Sequence, residues 1–503
     1  MSETEAVKYS NLARPKAPGI GGLSPLQFLT LIGVVLVGMF LMFVVHFWVG
    51  MGWLALSLLL IAPWVLGTMA LDKNPYGALI RRRRWSVSER TGRTALAQGP
   101  TGVLEHGSFA LPGLMADSEL LEAEDGYGVP FALIHHRGVD HYSVVIETAP
   151  EGTVGIDQES IDRKAAHWGT YLGVLSRERD LIGAQVVVET VPDTGLRLER
   201  AAMADVDPGA PEFALSVLRD VVGSGTAGAA QINTTVTLTF DARKGVEGAK
   251  GARDADTMAD DIGTRLPGLI AQLRMTGAGF RLRARTAADI IDDTRVAFDP
   301  SVAAAVEQAR NAGGTGLAWN DCGPVAAHAG KDYYAHDGSV SMSMMMAEPP
   351  RGVFYTLQLR NLLEPNARVA RKRVALLYRP LDPTTSANLA EWRVTSASSD
   401  ASTTRRRGPS ERKKQRLAAA QRNAAAEAEG NPFVRVGMIV TATVEDVSDL
   451  PAAKQTLLNL AGQAQLKMRP CWGMHDVAFV AALPLGIVLP ERVALPGVLR
   501  ETM

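Results

Sequence analysis

Between Pro25 and Leu71 the chain carries no Lys, Arg, Asp or Glu, and it then reads Arg81-Arg82-Arg83-Arg84-Trp85. One spanning helix needs about 20 apolar residues. The uncharged run is about twice that length, so it predicts two helices rather than one. Gly50-Met51-Gly52 supplies a turn signal near its middle. The first helix is expected over roughly Gln27 to Phe47 and the second over roughly Trp53 to Leu71, as an antiparallel transmembrane hairpin. Lys8, Arg14 and Lys16 precede the hairpin and the four arginines follow it, which places both flanks, and so both termini, in the cytoplasm of a two-pass plasma-membrane protein. Trp48, Trp53 and Trp64 suit interfacial positions, and His46 reads as an interfacial histidine beside the turn. A signal peptide fits less well, because the run is too long and no small-residue cleavage site follows it. A buried core hairpin also fits less well, because core helices usually carry a polar face.

The rest of the 503 residues predict an α+β body of layered, mixed subdomains, in part ferredoxin-like. The expected order is a tail (1–24), the hairpin (25–71), a basic connector punctuated by Gly and Pro (72–125), a first α+β domain (126–330) and a second (331–503). Phe131 to Ile134 and Tyr142 to Glu147 read as strands joined by a turn at Arg137-Gly138-Val139-Asp140. Helical periodicity runs over Asp157 to Leu175, Pro211 to Val222 and Asp256 to Met275. Ala184 to Thr190, Asn233 to Phe240 and Phe280 to Arg285 read as strands. In the second domain, Val340 to Met346, Val374 to Tyr378 and Val434 to Val444 read as strands, with helices over Gly352 to Leu363 and Leu450 to Ala464. Gln465 to Met468 and Asp476 to Ala481 are expected to complete a β-α-β-β unit. A basic, alanine-rich insertion occupies 396–431 and reads as solvated, partly helical or disordered. No strict short repeat is evident, and two similar α+β units in tandem are compatible with this order.

Little chemistry announces itself. Gly223-Ser224-Gly225-Thr226-Ala227-Gly228 and Gly313-Gly314-Thr315-Gly316 lack the Lys-Ser or Lys-Thr of a phosphate-cradling loop and read as flexible turns. Cys322 and Cys471 stand far apart, which fits a reducing compartment and buried thiols. His135-His136 with Asp140 and His141 could seed a metal or acid/base site. Neighbouring strand residues point to opposite faces, so a surface hairpin is the simpler reading. Asp292-Asp293 reads as a solvated turn rather than a metal site, and Asp321-Cys322 as a structural turn at Gly323-Pro324. Met342, Met344, Met345 and Met346 suit a core strand or an adaptable contact surface. A net charge of -1 gives no global field toward nucleic acid. Local charge is concentrated at two places. Arg81, Arg82, Arg83 and Arg84 suit lipid headgroups. Arg405, Arg406, Arg407, Arg412, Lys413 and Lys414 suit a solvated face, a partner, anionic lipid or nucleic acid. No catalytic, cofactor or metal residue is nominated.

The order of several short motifs resembles a family of actinobacterial conjugation and secretion proteins. In that family a PrgI-like (VirB-three-like) two-helix membrane piece leads into the N-terminal region of a VirB-type conjugation ATPase, without its motor. The residues that carry the likeness are the apolar hairpin with Arg81 to Trp85, Leu111-Pro112-Gly113-Leu114, Phe131 to Ile134 and His167-Trp168-Gly169. Val188-Glu189-Thr190, Trp319 with Gly323-Pro324, Tyr378-Arg379-Pro380 and Phe479 to Leu485 continue it nearly to the end of the chain. The resemblance implies a non-enzymatic scaffold of a type IV secretion-like, DNA-transferring machine. It implies a separate P-loop ATPase, other channel subunits and membrane lipid as partners, and no cofactor. An EccE-like subunit of type VII secretion is the alternative, followed by a membrane-anchored enzyme.

Overall fold

The computed structural model describes residues 8–10, 25–70, 75–100, 102, 108–152, 155–204, 206–207, 209–226, 230–245, 251–350, 353–402 and 411–492. The chain forms two compact units, one of Met1–Leu12 with Ala95–Arg492 and the other of Ala13–Thr94 with Val493–Met503.

The smaller unit holds α1 (Pro25–Val44), α2 (Phe47–Ala70) and α3 (Pro75–Arg90). The chain breaks at Val45-His46, earlier than the Gly50-Met51-Gly52 turn expected from sequence. His46 Nδ1 accepts a hydrogen bond from the Trp48 amide at 3.3 Å, which caps the start of α2. Gly50 instead serves packing: a Cβ there would overlap Met42 and the Gly38 carbonyl of α1. Both helices leave large apolar side chains exposed, among them Leu36, Phe40, Phe43, Trp48 and Leu59. Among the described residues, however, no helix is long and apolar enough to cross a membrane. The expected transmembrane hairpin, and the two-pass plasma-membrane placement with cytoplasmic termini, are corrected on that ground. The connector expected to be basic and punctuated by Gly and Pro contains α3, which opens on Pro75 at its first position.

The larger unit is built on one 13-stranded antiparallel sheet rather than on separate layered subdomains. Beside it, β1 (Lys8–Ser10) pairs with a short strand from the second half of the unit. After β2 (Ala95–Ala97) the chain forms β3 (Ser118–Glu124), β4 (Pro130–His136), β5 (His141–Thr148), α4 (Gln158–Leu175) and β6 (Leu181–Pro192). A helical pair follows, α5 (Leu196–Ala204) and α6 (Glu212–Thr226), then β7 (Ala230–Asp241), α7 (Ala255–Leu273), β8 (Arg283–Ala284), α8 (Ala287–Phe298) and α9 (Ala303–Asn311). The same series then recurs. It runs β9 (Ala326–Ala329), β10 (Tyr334–His336), β11 (Ser339–Glu348), β12 (Val353–Tyr355, the partner of β1), α10 (Arg360–Leu363) and β13 (Arg371–Pro380). A second helical pair, α11 (Pro383–Ser402) and α12 (Glu411–Ala428), precedes β14 (Val434–Val444), α13 (Leu450–Gln463), β15 (Lys467–Pro470) and α14 (His475–Ala482).

Strand order shows that the recurrence is a duplication. The sheet reads β2-β9-β10-β11-β14-β13-β6-β7-β5-β4-β3, with β15 also on β11 and β8 also on β5. Apart from β2, the order is the same from either end. Register agrees to the residue: Val186 faces Val236 in the first copy, and Val374 faces Val440 in the second. Ser143 meets Thr239 as Ser341 meets Thr443, each pair joined through its hydroxyls at 3.0 and 2.7 Å. Val236-Thr237-Leu238-Thr239 and Val440-Thr441-Ala442-Thr443 are the clearest remnant in sequence. The copies join through β6 and β13, and Val187 faces its own counterpart Ala375 there, on the pseudo-twofold axis.

Alternation of side chains gives the sheet two different faces. On one, each copy has its own core: Val144, Leu238 and Phe240 under α4 and α7, and Val340, Val374 and Val440 under α13. On the other, one core crosses the axis, joining Val187, Ala375 and Ile439 to Ile290 and Phe298 of α8 and Phe479 of α14. That α14 is a helix corrects the strand expected over Asp476 to Ala481. A short apolar run buried on nearly all sides carries no readable period, and here Ala478 through Ala482 are all buried. Of Gly352 to Leu363, expected as one helix, the described residues from Val353 on are β12, a 3₁₀ turn and only four residues of α10.

Candidate functional site

The face that crosses the axis is unusually polar for a buried surface. β7 turns Thr235, Thr237 and Thr239 toward it, and β13 turns Arg371 and Arg373. Part of this polarity serves the segment after α14. The carbonyls of Ala481, Pro484, Leu485 and Gly486 accept from Gln185 (3.0 Å), Thr237 (3.2 Å), His136 (2.9 Å) and Thr239 (3.0 Å). Loop carbonyls that burial would otherwise leave unpaired are thus met by sheet side chains.

Beside that segment lies a cavity of about 240 Å³ between the sheet and helices α8 and α9. Four guanidinium groups line it: Arg285, Arg310, Arg371 and Arg373. Arg373 donates to Glu189 at 2.7 Å, and Arg371 lies 3.6 Å from the same carboxylate oxygen. Arg285 is pinned through its backbone to Val145 and Ala132 and pairs with Asp293. Arg310 reaches Asp292 and Asp293, each at 2.7 Å. Arg373 is 3 % exposed, and Arg285 and Arg371 are 9 % exposed. Burial disfavours the charged forms of Arg285 and Arg371, an effect that Glu147 and Glu189 respectively offset only in part. Valine, isoleucine and leucine side chains complete the wall.

A second feature is the α5–α6 pair between β6 and β7. Phe213, Val217 and Val221 repeat at four-residue spacing along α6, and all three are exposed, Phe213 to 80 %.

The residues nominated from sequence fall elsewhere. Arg81 to Arg84 lie on α3, where Arg82 and Arg83 are exposed; the side chains of Arg81 and Arg84 are outside the described residues. Arg405, Arg406 and Arg407, and the side chain of Arg412, are likewise outside them. Lys413 is half-buried on α12, and Lys414 is exposed and pairs with Glu411 at 2.9 Å.

The histidines are not the surface hairpin that adjacent strand positions suggested. His135 stacks on Tyr142 and bonds Glu119 at 2.7 Å. His136 and His141 are buried, and burial depresses them to about 4 and about 3. Asp292, expected in a solvated turn, is a buried residue of α8 held by Arg310 and Thr315. Cys322 is fully buried at a 3₁₀ turn, and burial pushes its thiol up. Among the described residues, no group of three or more His, Cys, Asp or Glu could hold a metal ion.

Sequence reasoning missed the cavity. Its arginines are scattered over nearly ninety positions, and each alone reads as a solvated charge. The one available signal was Arg371-Lys372-Arg373 running directly into the apolar strand Val374 to Tyr378. No protein-family model and no curated protein matches the chain.

Proposed function

We propose that the protein is a non-catalytic docking subunit of a type IV secretion-like, conjugative-transfer machine, and that it holds a separately encoded P-loop ATPase. The observation that carries this reading is the exposed apolar row Phe213, Val217 and Val221 on a helix inserted at the end of two long central strands. Contiguous exposed apolar surface of this kind is what protein partners cover, and a single helix face is a common form of it. The choice of partner rests on the resemblance of the ordered short motifs to the conjugation family.

The test is co-purification of the tagged full chain with the ATPase, alongside Phe213→Glu and Val217→Glu variants. Retention of the ATPase by the native chain, its loss from both variants, and no nucleotide hydrolysis by the chain alone are expected. Hydrolysis by the chain itself, undiminished binding by both variants, or recovery of type VII subunits in place of the ATPase would overturn the reading.

A further inference from the structure

The duplication supplies an internal control for the arginine cavity. Arg371 and Arg373 face Thr443 and Thr441, while the equivalent positions facing Thr239 and Thr237 in the first copy hold Gly183 and Gln185. The same fold therefore closes with neutral residues at these two places. Buried guanidinium groups are costly unless counter-charge and hydrogen bonds satisfy them. Here satisfaction is incomplete: Glu189 is shared by Arg371 and Arg373, and Asp293 by Arg285 and Arg310, of which only Arg310 has a second close carboxylate, Asp292. Arg373 Nε and Nη1, Arg285 Nε and the Thr235 hydroxyl have no hydrogen-bond partner among the described residues. Glu307 also lines the cavity, where Thr194 donates to it and Arg200 stands 4.0 Å away. The wall presents four guanidinium groups and three carboxylates, with Asp292 at 2.7 Å from Arg310 and Glu147 at 4.0 Å from Arg285 as further counter-charge behind it, so what stays unmet is hydrogen-bonding capacity at Arg373, Arg285 and Thr235.

We propose that this cavity is a binding site for a phosphate-class oxyanion, free or carried on a small ligand. Guanidinium groups are the side chains best suited to such an ion, and the aliphatic part of the wall strengthens their pull by excluding water. The donors come from different elements, Arg371 and Arg373 from β13, Arg285 after β8 and Arg310 from α9. A tetrahedral oxyanion offers acceptors in several directions at once, whereas a carboxylate offers two in one plane. The inference rests on the cavity alone, so it stands or falls separately from ATPase docking.

Isothermal titration calorimetry on the full chain tests it, with inorganic phosphate, glycerol 3-phosphate and acetate titrated at fixed ionic strength. Saturable one-to-one binding of phosphate, with a dissociation constant on the order of a millimolar or below, is expected. Arg373→Gln should weaken it about tenfold or more. Because Arg373 is buried, two further variants guard against a folding defect. Arg310→Gln alters a side chain that is 36 % exposed, and Val306→Phe fills the cavity without changing charge. Both should weaken binding, while Arg243→Gln, at an exposed pair with Asp140, should leave it unchanged. Tighter binding of glycerol 3-phosphate than of phosphate would assign an esterified ligand, and the reverse a free ion. No saturable heat from either phosphate, acetate binding equally well, or native affinity in the Arg310 and Val306 variants would overturn the proposal.

Discussion

Lys372 should make the sheet more stable in base than at neutral pH. It is the second residue of β13, between Thr190 of β6 and Ala442 of β14, and is fully buried. Its ammonium donates to the Glu364 carbonyl at 2.6 Å, and among the described residues no carboxylate pairs with it. Burial therefore pulls its pKa from 10.5 down to about 8. A base depressed in this way carries a penalty that is fully present below about pH 8 and is relieved as pH rises toward the unfolded value, because the unfolded chain then binds more protons. The whole effect is about 3 kcal/mol, of which about 2 kcal/mol falls between pH 7 and about pH 9.5. The perturbation is Lys372→Met, which keeps the length of the stem and removes the titrating group. Urea unfolding of both proteins across this range gives a difference from which the other ionisable groups cancel. Native stability should gain about 2 kcal/mol relative to the variant as pH rises. A difference that stays flat or declines would refute the assignment of an unpaired buried ammonium.

Other sites give independent outcomes. Asp180, 2 % exposed, loses solvation on burial, yet Arg265 and Arg253 hold its carboxyl below the usual range. Asp180→Asn should cost about 3–5 kcal/mol in denaturant unfolding at neutral pH, with the difference vanishing in strong acid. His336 is fully buried between the Phe298 carbonyl and Ser341, and burial depresses it to about 4. Its contribution is present above about pH 6.5 and is lost as pH falls toward 4, so His336→Gln should flatten the acid limb by about 3 kcal/mol in a pH series of unfolding curves. Gly486 has φ +71°, and a Cβ there would overlap Ser143 Oγ and Thr239 Oγ1. Gly486→Ala should therefore cost about 2 kcal/mol or more, read as a lowered thermal midpoint.

Long periodic elements were legible because their signal is local. Asp157 caps α4 by accepting from the Ser160 amide, and β14 runs over the same Val434–Val444 that its apolar alternation marks. What escaped depends on distant partners. Gly50 reads as a turn until Met42 is placed against it. Asp292 reads as solvated until Arg310 and Thr315 close on it, and His136 as exposed until the Leu485 carbonyl arrives from 349 positions away. The duplication left little to read, since register is a property of strand pairs and the longest run that survives in both copies is Val-Thr-x-Thr, with isolated matches such as Ser143 and Ser341. Arg373 and Gln185 occupy equivalent places with opposite chemistry, so no comparison of residue types would have aligned them.

The joint between β6 and β13 has a mechanical consequence. The two copies share a backbone ladder rather than a linker, so neither can swing against the other without breaking it. Strands stand about 4.8 Å apart, so the eleven along the main path set a ruler of about 50 Å from β2 to β3. Because β6 and β13 run antiparallel, the α5–α6 and α11–α12 arms leave the sheet from opposite ends, at a spacing fixed by hydrogen bonds. Anything gripping both arms would feel a rigid strut.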